Sequence, residues 1–234
     1  MGEARNTPFR VNFDRHLMLG FPGSDISSDG GLLACRELDN ALGLTELGGE
    51  VLSETRHGKN TLHLLVVLLR QWVFGRLAGY EDVNDAQRLS HDPVMRAIVD
   101  RKGLDRMAAS TSQMERFETE WLATDDNLTA RTELSGLWID RVHECRPPKM
   151  IVLDMDSSES PTSGEQEGSA YIGYCGCTCY HPLFLFNQFV DLERSLPRPG
   201  NVLGHVRTSL TSCRLNLHYP DDLVIQRQRT PILL

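Results

Sequence analysis

The feature that most constrains this chain is the pair Pro147-Pro148, because the hydrophobic period changes across it. Upstream, apolar residues recur at helical spacing; downstream they alternate or run in short blocks of strand length. Each proline lacks a backbone donor and clashes with the preceding turn, so the two together end a helix. The chain therefore reads as α+β, helices first and strands second. Residues 1–26 show no clear period, 27–148 form a helical region, 149–204 begin a strand domain, and 205–234 are a divergent tail.

Within the helical region, "SSDGGLLACRELDNALG" offers Ser28 or Asp29 as an N-cap and Gly43 as a stop. A short helix is expected in "TELGGEVL", weakened by Gly48 and Gly49. The segment Asn60 to Ala78 is apolar nearly all round and should be central to the helical core. His63, Arg70, Gln71 and Arg76 interrupt it, so it is not a membrane span. Two short helices should split at Asp92-Pro93. In "ASTSQMERFETEWLA", Ser112 and Glu115 are spaced as a capping box, with Met114, Phe117, Trp121 and Leu122 facing inward. A last helix, about 126–144, carries Leu134, Leu137, Trp138 and Val142.

After the prolines, "KMIVLDM", "YIGYCGCTCY" and "PLFLFNQFV" read as three strands. Alternation sets Met150, Val152, Asp154 and Asp156 on one face, with Ile151, Leu153 and Met155 on the other. Both faces are apolar up to Asp154, as for a strand covered on each side. Two neighbouring carboxylates repel unless a cation compensates, and Mg²⁺, an oxygen-seeking ion held by one or two carboxylates, is the natural partner. The plain alternative is that an aspartate here caps the turn into "SSESPTSG".

"YCGCTCYHP" sets Cys175, Cys177, Cys179 and His181 in alternation. A straight row about 6.8 Å apart cannot wrap a tetrahedral ion, so buried strand thiols are the favoured reading over zinc. Six scattered cysteines make no disulfide framework. The start of the chain lacks the apolar core of a secretory signal, which places the protein in the cytoplasm. A net charge of −8 argues against a nucleic-acid surface covering the whole protein, while leaving room for a local basic stripe.

Two chemistries set an aspartate at the end of an apolar strand. "IVLDMDSS" resembles the signature of haloacid-dehalogenase-like phosphatases, with Asp154 as nucleophile and Asp156 as acid. Those enzymes need a downstream lysine, and no lysine follows Lys149. The ribonuclease-H-like fold, opening with three antiparallel strands and an aspartate on the first, fits the order better.

Five segments then carry a broader resemblance: "SSDGGLLACRELDNALGL", "LLRQWVFGRLAGYEDVNDAQRLSHDPVMRAI", "ASTSQMERFE", "IVLDMDSSESPTSGEQEGSAYIGY" and "LPRPGNVLG". Together they resemble the IS1380-type DDE transposases of bacterial insertion sequences. The resemblance implies a ribonuclease-H-like catalytic domain with an Asp-Asp-Glu triad, Mg²⁺ or Mn²⁺ as cofactor, and DNA strand cleavage and transfer at terminal inverted repeats. It leaves room for a homo-oligomer and implies no membrane. It assigns the first triad position to Asp156, with Asp154 the close second choice, and makes Gln166 and Glu167 supporting loop residues. It makes the helical region DNA-binding, with Thr111, Ser112, Gln113 and Arg116 as the candidate contacts. The resemblance fades after Gly204, and neither the second Asp nor the Glu is found; Asp221 and Asp222 follow no apolar strand. The expectation is a truncated or frameshifted transposase, incomplete at its C-terminus, unable to assemble a full active site and inactive as this chain. A non-catalytic DNA-binding remnant is the alternative, and the phosphatase comes third.

Overall fold

The computed structural model describes residues 9–14, 18–19, 29–54, 56, 62–100, 106–164, 166–173, 175–202 and 224–225. Strands β1 (Phe9–Arg10) and β2 (Met18–Leu19) pair antiparallel at the start. Helices α1 (Leu32–Leu42), α2 (Leu44–Val51), α3 (Leu65–Leu77), α4 (Ala86–Leu89), α5 (Pro93–Val99), α6 (Thr111–Arg116) and α7 (Asp125–Cys145) follow. The chain forms two compact units that divide at Arg131 and Thr132, inside α7.

In the first unit α3 is the axis. Its buried residues, Leu65, Val67, Leu68, Leu69, Gln71, Phe74 and Gly75, lie all round the helix, as its uniform apolarity predicts. One core gathers Val67 and Phe74 with Phe13, Leu32, Met95 and Ile98. Another gathers Leu65, Leu68 and Leu69 with Met114, Phe117 and Leu122. Gly43, at φ 72°, takes the left-handed conformation between α1 and α2. The glycines that weaken α2 on propensity allow its close approach to α3, since a Cβ at Gly49 would lie 3.2 Å from that of Val66. Asp92 caps α5 by accepting from the Met95 amide at 2.8 Å, with Pro93 in the first turn.

Two caps differ from the sequence expectation. Ser28 lies outside the described residues, and the Asp29 carboxylate accepts from the Tyr80 hydroxyl at 3.1 and 3.2 Å and does not cap α1. The capping box of α6 pairs Ser110 with Gln113, two residues before the predicted Ser112 and Glu115. Ala109 is fully buried, so the helix must open where the chain leaves the core. The α6 helix widens into a π turn, Phe117–Trp121, that keeps Phe117 buried and Trp121 at the edge of the same core.

The second unit holds strands β3 (Val152–Ser157), β4 (Ser160–Pro161), β5 (Ala170–Ile172), β6 (Cys177–Tyr180), β7 (Leu183–Asn187), β8 (Leu192–Leu196) and β9 (Val224–Ile225). A four-stranded sheet has the order β8-β7-β3-β9, antiparallel except for the parallel β3–β9 pair. A three-stranded sheet, β4-β6-β5, is inserted between β3 and β7. The fold is a mixture of helices and mainly antiparallel sheet. Among the described residues no helix is long and apolar enough to cross a membrane.

The strand content corrects two expectations, and the buried face of α7 a third. "YIGYCGCTCY" is two strands, because Gly176 at φ 65° turns the chain between β5 and β6. The third antiparallel strand of the larger sheet is instead β8, "LERSL", which pairs with β7 and whose polar residues hide its strand character. On α7 the buried residues are Asn127, Gly136 and Ile139, while Leu137 and Val142 are exposed. Helix α7 approaches β8 through Gly136, where a Cβ would lie 2.9 Å from the Glu193 carbonyl oxygen.

Asn187 shapes the β7–β8 turn. Its side-chain oxygen accepts from the Phe189 and Asp191 amides at 2.9 and 3.1 Å. Within this turn Val190 sits at φ 70° and is 79% exposed. A β-branched residue there is strained and has no contact area to compensate. Val190→Gly is therefore expected to stabilise the protein by about 1 kcal/mol, allowing for the entropy that glycine adds to the unfolded chain. Chemical denaturation checks this, and an unchanged or lowered midpoint overturns it.

Candidate active site

The candidate site is built on β3. Leu153 and Met155 join Ile151 and Leu185 in a small core, which commits one face of the strand to the interior. Alternation sends Asp154 and Asp156 to the other face. Asp154 is half-buried opposite Phe186; Asp156 is exposed opposite Phe184. Phe184 and Phe186 are themselves half-buried, so this face is less covered than the expected two-sided burial. Asp156 Oδ1 accepts from the Ser157 amide at 2.8 Å, a local bond of the strand-end type. Among the described residues the turn takes up only this oxygen, so capping leaves part of the carboxylate for a ligand.

Immediately after Asp156 the chain runs beside the β6–β7 connection. Ser157 pairs with Leu183, and the Ser158 amide donates to the Pro182 carbonyl at 3.2 Å. His181, next to Pro182, exchanges backbone and side-chain bonds with Arg198 beyond the end of β8. By the alternation of the paired strands, His181 and Arg198 share the face of Leu183 and Leu185, so the end of β3 gathers the two aspartates without them.

The two-aspartate face offers oxygen donors suited to Mg²⁺ or Mn²⁺, an ion commonly held by one or two carboxylates with water and phosphate completing its shell. Among the described residues no group of three or more His, Cys, Asp or Glu side chains is arranged to hold a metal ion. The cysteines follow the same rule. The turn at Gly176 takes Cys175 out of the row, and its thiol donates to Glu159 Oε1 at 2.7 Å. That bond, with burial and the Glu159 charge, pushes the Cys175 pKa up to about 11, which disfavours the thiolate a metal would need. Cys179 is fully buried.

The four residues expected to meet DNA separate into two pairs. Gln113 is engaged in the capping box, accepting from the Ser110 amide at 2.9 Å, and half-buried Thr111 donates to the Asn84 carbonyl at 3.4 Å. Ser112 and Arg116 are exposed. Gln166 and Glu167 are exposed loop residues whose carbonyls accept from Ser169 and Tyr180.

Sequence reasoning passed over the most buried charge of this unit. Glu193 is 1% exposed; its Oε1 accepts from Asn187 Nδ2 at 2.9 Å, and among the described residues its Oε2 has no partner. The residue lies at the bulge between β7 and β8, where alternation alone does not predict its face. Burial pushes its carboxyl above the ordinary range, Asp140 and Asp191 add to the rise, and Asn187 and Arg194 oppose it. Arg198 also went unmarked, although the run Pro197-Arg198-Pro199 signals a charge on a stiffened backbone.

With this geometry in place, comparison with known proteins gives the class. The chain matches the family described as Transposase DDE domain group 1 over residues 9–214, and it belongs to that family. No curated protein and no solved structure matches it.

The buried Glu193 makes a pH prediction. Because its folded pKa is raised, the protonated form favours folding, and stability falls as pH rises from the ordinary glutamate range through the raised value. Glu193→Gln removes the ionisation, so its melting temperature should exceed that of the parent by a margin that opens above about pH 4.3. Thermal melts from pH 4 to 8 check this; parallel curves overturn it.

Proposed function

We propose that this chain is the transposase polypeptide of a bacterial insertion sequence, of the IS1380 type, acting on DNA phosphodiesters. The observation that carries the reading is the placement of Asp154 and Asp156 at the C-terminal end of β3, within a family defined by its acidic triad. The strand order supports it. Three antiparallel strands are followed, on the far side of the first, by a parallel strand, as a ribonuclease-H-like domain requires. Asp156 is the proposed first triad residue, with Asp154 second. Together they would hold Mg²⁺ or Mn²⁺, which supplies charge stabilisation and activation of the attacking oxygen. The family's second acid belongs on the strand that β9 represents. Neither Val224 nor Ile225 is acidic, and Asp221 and Asp222 lie outside the described residues.

Further parts of the reading follow from the family. The partner is DNA at terminal inverted repeats, the assembly a homo-oligomer, and the compartment the cytoplasm. On α6, Ser112 and Arg116 are the proposed contacts to DNA, with Thr111 and Gln113 holding the helix start. A second reading, a DNA-binding polypeptide without cleavage, is favoured by the want of an acid at the two described residues of β9, Val224 and Ile225.

Duplex DNA taken from the flanks of the coding sequence separates the two. With Mn²⁺ or Mg²⁺, nicking at the element ends is expected, and Asp156→Ala should reduce it by about a hundredfold or more while leaving DNA retention on a filter unchanged. Binding without nicking in the parent protein overturns the catalytic reading and leaves the second.

A further inference from the structure

In the helical unit a small cavity opens between the start of α3 and the end of α5, and His63, Arg96, Asp100 and Arg106 all line it. Its volume is about 10 Å³, the room of a single water, so it admits one ligand oxygen and no ring. The wall is fixed in place. Arg96 Nε donates to the Arg106 carbonyl at 2.8 Å, and the Ala108 amide donates to the Ser90 carbonyl at 3.1 Å. The segment that carries Arg106 is thereby tied to α5 and to the residue after α4. Arg56 donates to the His63 carbonyl at 2.7 Å and holds the other side.

His63 is 9% exposed, yet its ring makes no hydrogen bond to a described residue. A polar ring buried this deeply needs a partner, and the cavity is where one can reach it. The Arg106 side chain is exposed and makes no hydrogen bond or ion pair with a described residue. Burial holds the imidazole below its ordinary pKa; Asp100 raises it, while Arg56 and Arg106 lower it. Asp100 is the one carboxylate among the lining residues, set against the guanidinium groups of Arg96 and Arg106. The balance of charge at the cavity is positive.

We infer that His63 and Arg106, with Arg96 lining the same cavity, bind one oxygen of a tetrahedral oxyanion of the phosphate class. The cavity takes the oxygen, and the guanidinium groups take its charge. The site rests on the transposase reading for its source of phosphate, a DNA backbone, and lies in the unit that does not carry Asp154 and Asp156. His63 and Arg106 are positioning residues: they hold a phosphate and do no chemistry on it.

The test titrates the full chain with inorganic phosphate at constant ionic strength, following the His63 ring by NMR, with His63→Gln used to assign its signal. A saturable shift is expected, and with phosphate bound His63 should titrate at higher pH, because an adjacent anion favours the protonated ring. Arg106→Gln, at an exposed position, should weaken phosphate binding by about tenfold or more, with Arg106→Lys intermediate. A parent protein without a saturable shift overturns the proposal, as does an Arg106→Gln protein that binds phosphate unchanged; a cavity filled by water alone gives the first result. In a second arm, duplex from the flanks of the coding sequence should displace phosphate, and Arg106→Gln should lower the salt slope of DNA binding by about one. Phosphate binding that duplex does not displace keeps the site for a free oxyanion and overturns DNA as its source. Metal-dependent nicking by a chain with no phosphate response at His63 removes the site and keeps the transposase reading.

Discussion

Three buried side-chain amides hold the irregular parts of this chain in place, and the regular elements depend on them. A buried backbone group without a partner costs more than most contacts return, so each departure from helix or strand must be satisfied locally. Gln71 accepts from the Ala109 amide and donates to its carbonyl, both at 2.7 Å, which imitates a strand pair in the middle of a helical core. Asn127 does the same for Ser53, with its nitrogen also donating to the Trp121 carbonyl at 2.7 Å. Asn187 closes the turn that sets the path of β8. Each amide carries both donor and acceptor, which a carboxylate or hydroxyl cannot match in both directions without titrating or rotating.

Charge is treated differently in the two units. In the first, Asp39 accepts from Arg36 at 2.9 Å and from the Thr45 amide at 2.8 Å, and Arg70 reaches the Thr45 hydroxyl at 3.1 Å, so a buried carboxylate is fully used. In the second, among the described residues, Glu193 retains an oxygen without a partner and Arg198 a guanidinium without an anion. The first arrangement spends charge on holding α1, α2 and α3 together. The second leaves its two unmatched charges at opposite ends of the β7–β8 ladder, Glu193 beside Asn187 and Arg198 beside His181.

Helix positions were largely legible in the sequence because their signals are local. The apolar run of α3, the Asp92-Pro93 boundary and the inward Met114, Phe117 and Leu122 need no distant partner to be read. The carboxylate strand was legible for the same reason, its alternation ending in two aspartates. What the sequence hid depends on long-range contacts. β8 pairs through "LERSL" despite its charges, because a bulge and Asn187 together accommodate Glu193. The hairpin within "YIGYCGCTCY" turns on the conformation of a single glycine. The pairing of Arg198 with His181 joins residues on either side of a whole hairpin, and no periodicity reports that.

Gly200 carries a consequence for how this domain can change over evolutionary time. A Cβ there would collide with the Ala170 carbonyl and come within 2.5 Å of that of Cys179, so the segment after β8 presses its bare backbone against β5 and β6. The inserted three-stranded sheet is thereby clamped to the strand that delivers Arg198. It is not an interchangeable ornament on a surface loop. Lengthening, shortening or swapping that insertion would move the arginine with it, so the two must have diverged, and would have to be transplanted, as one inherited block.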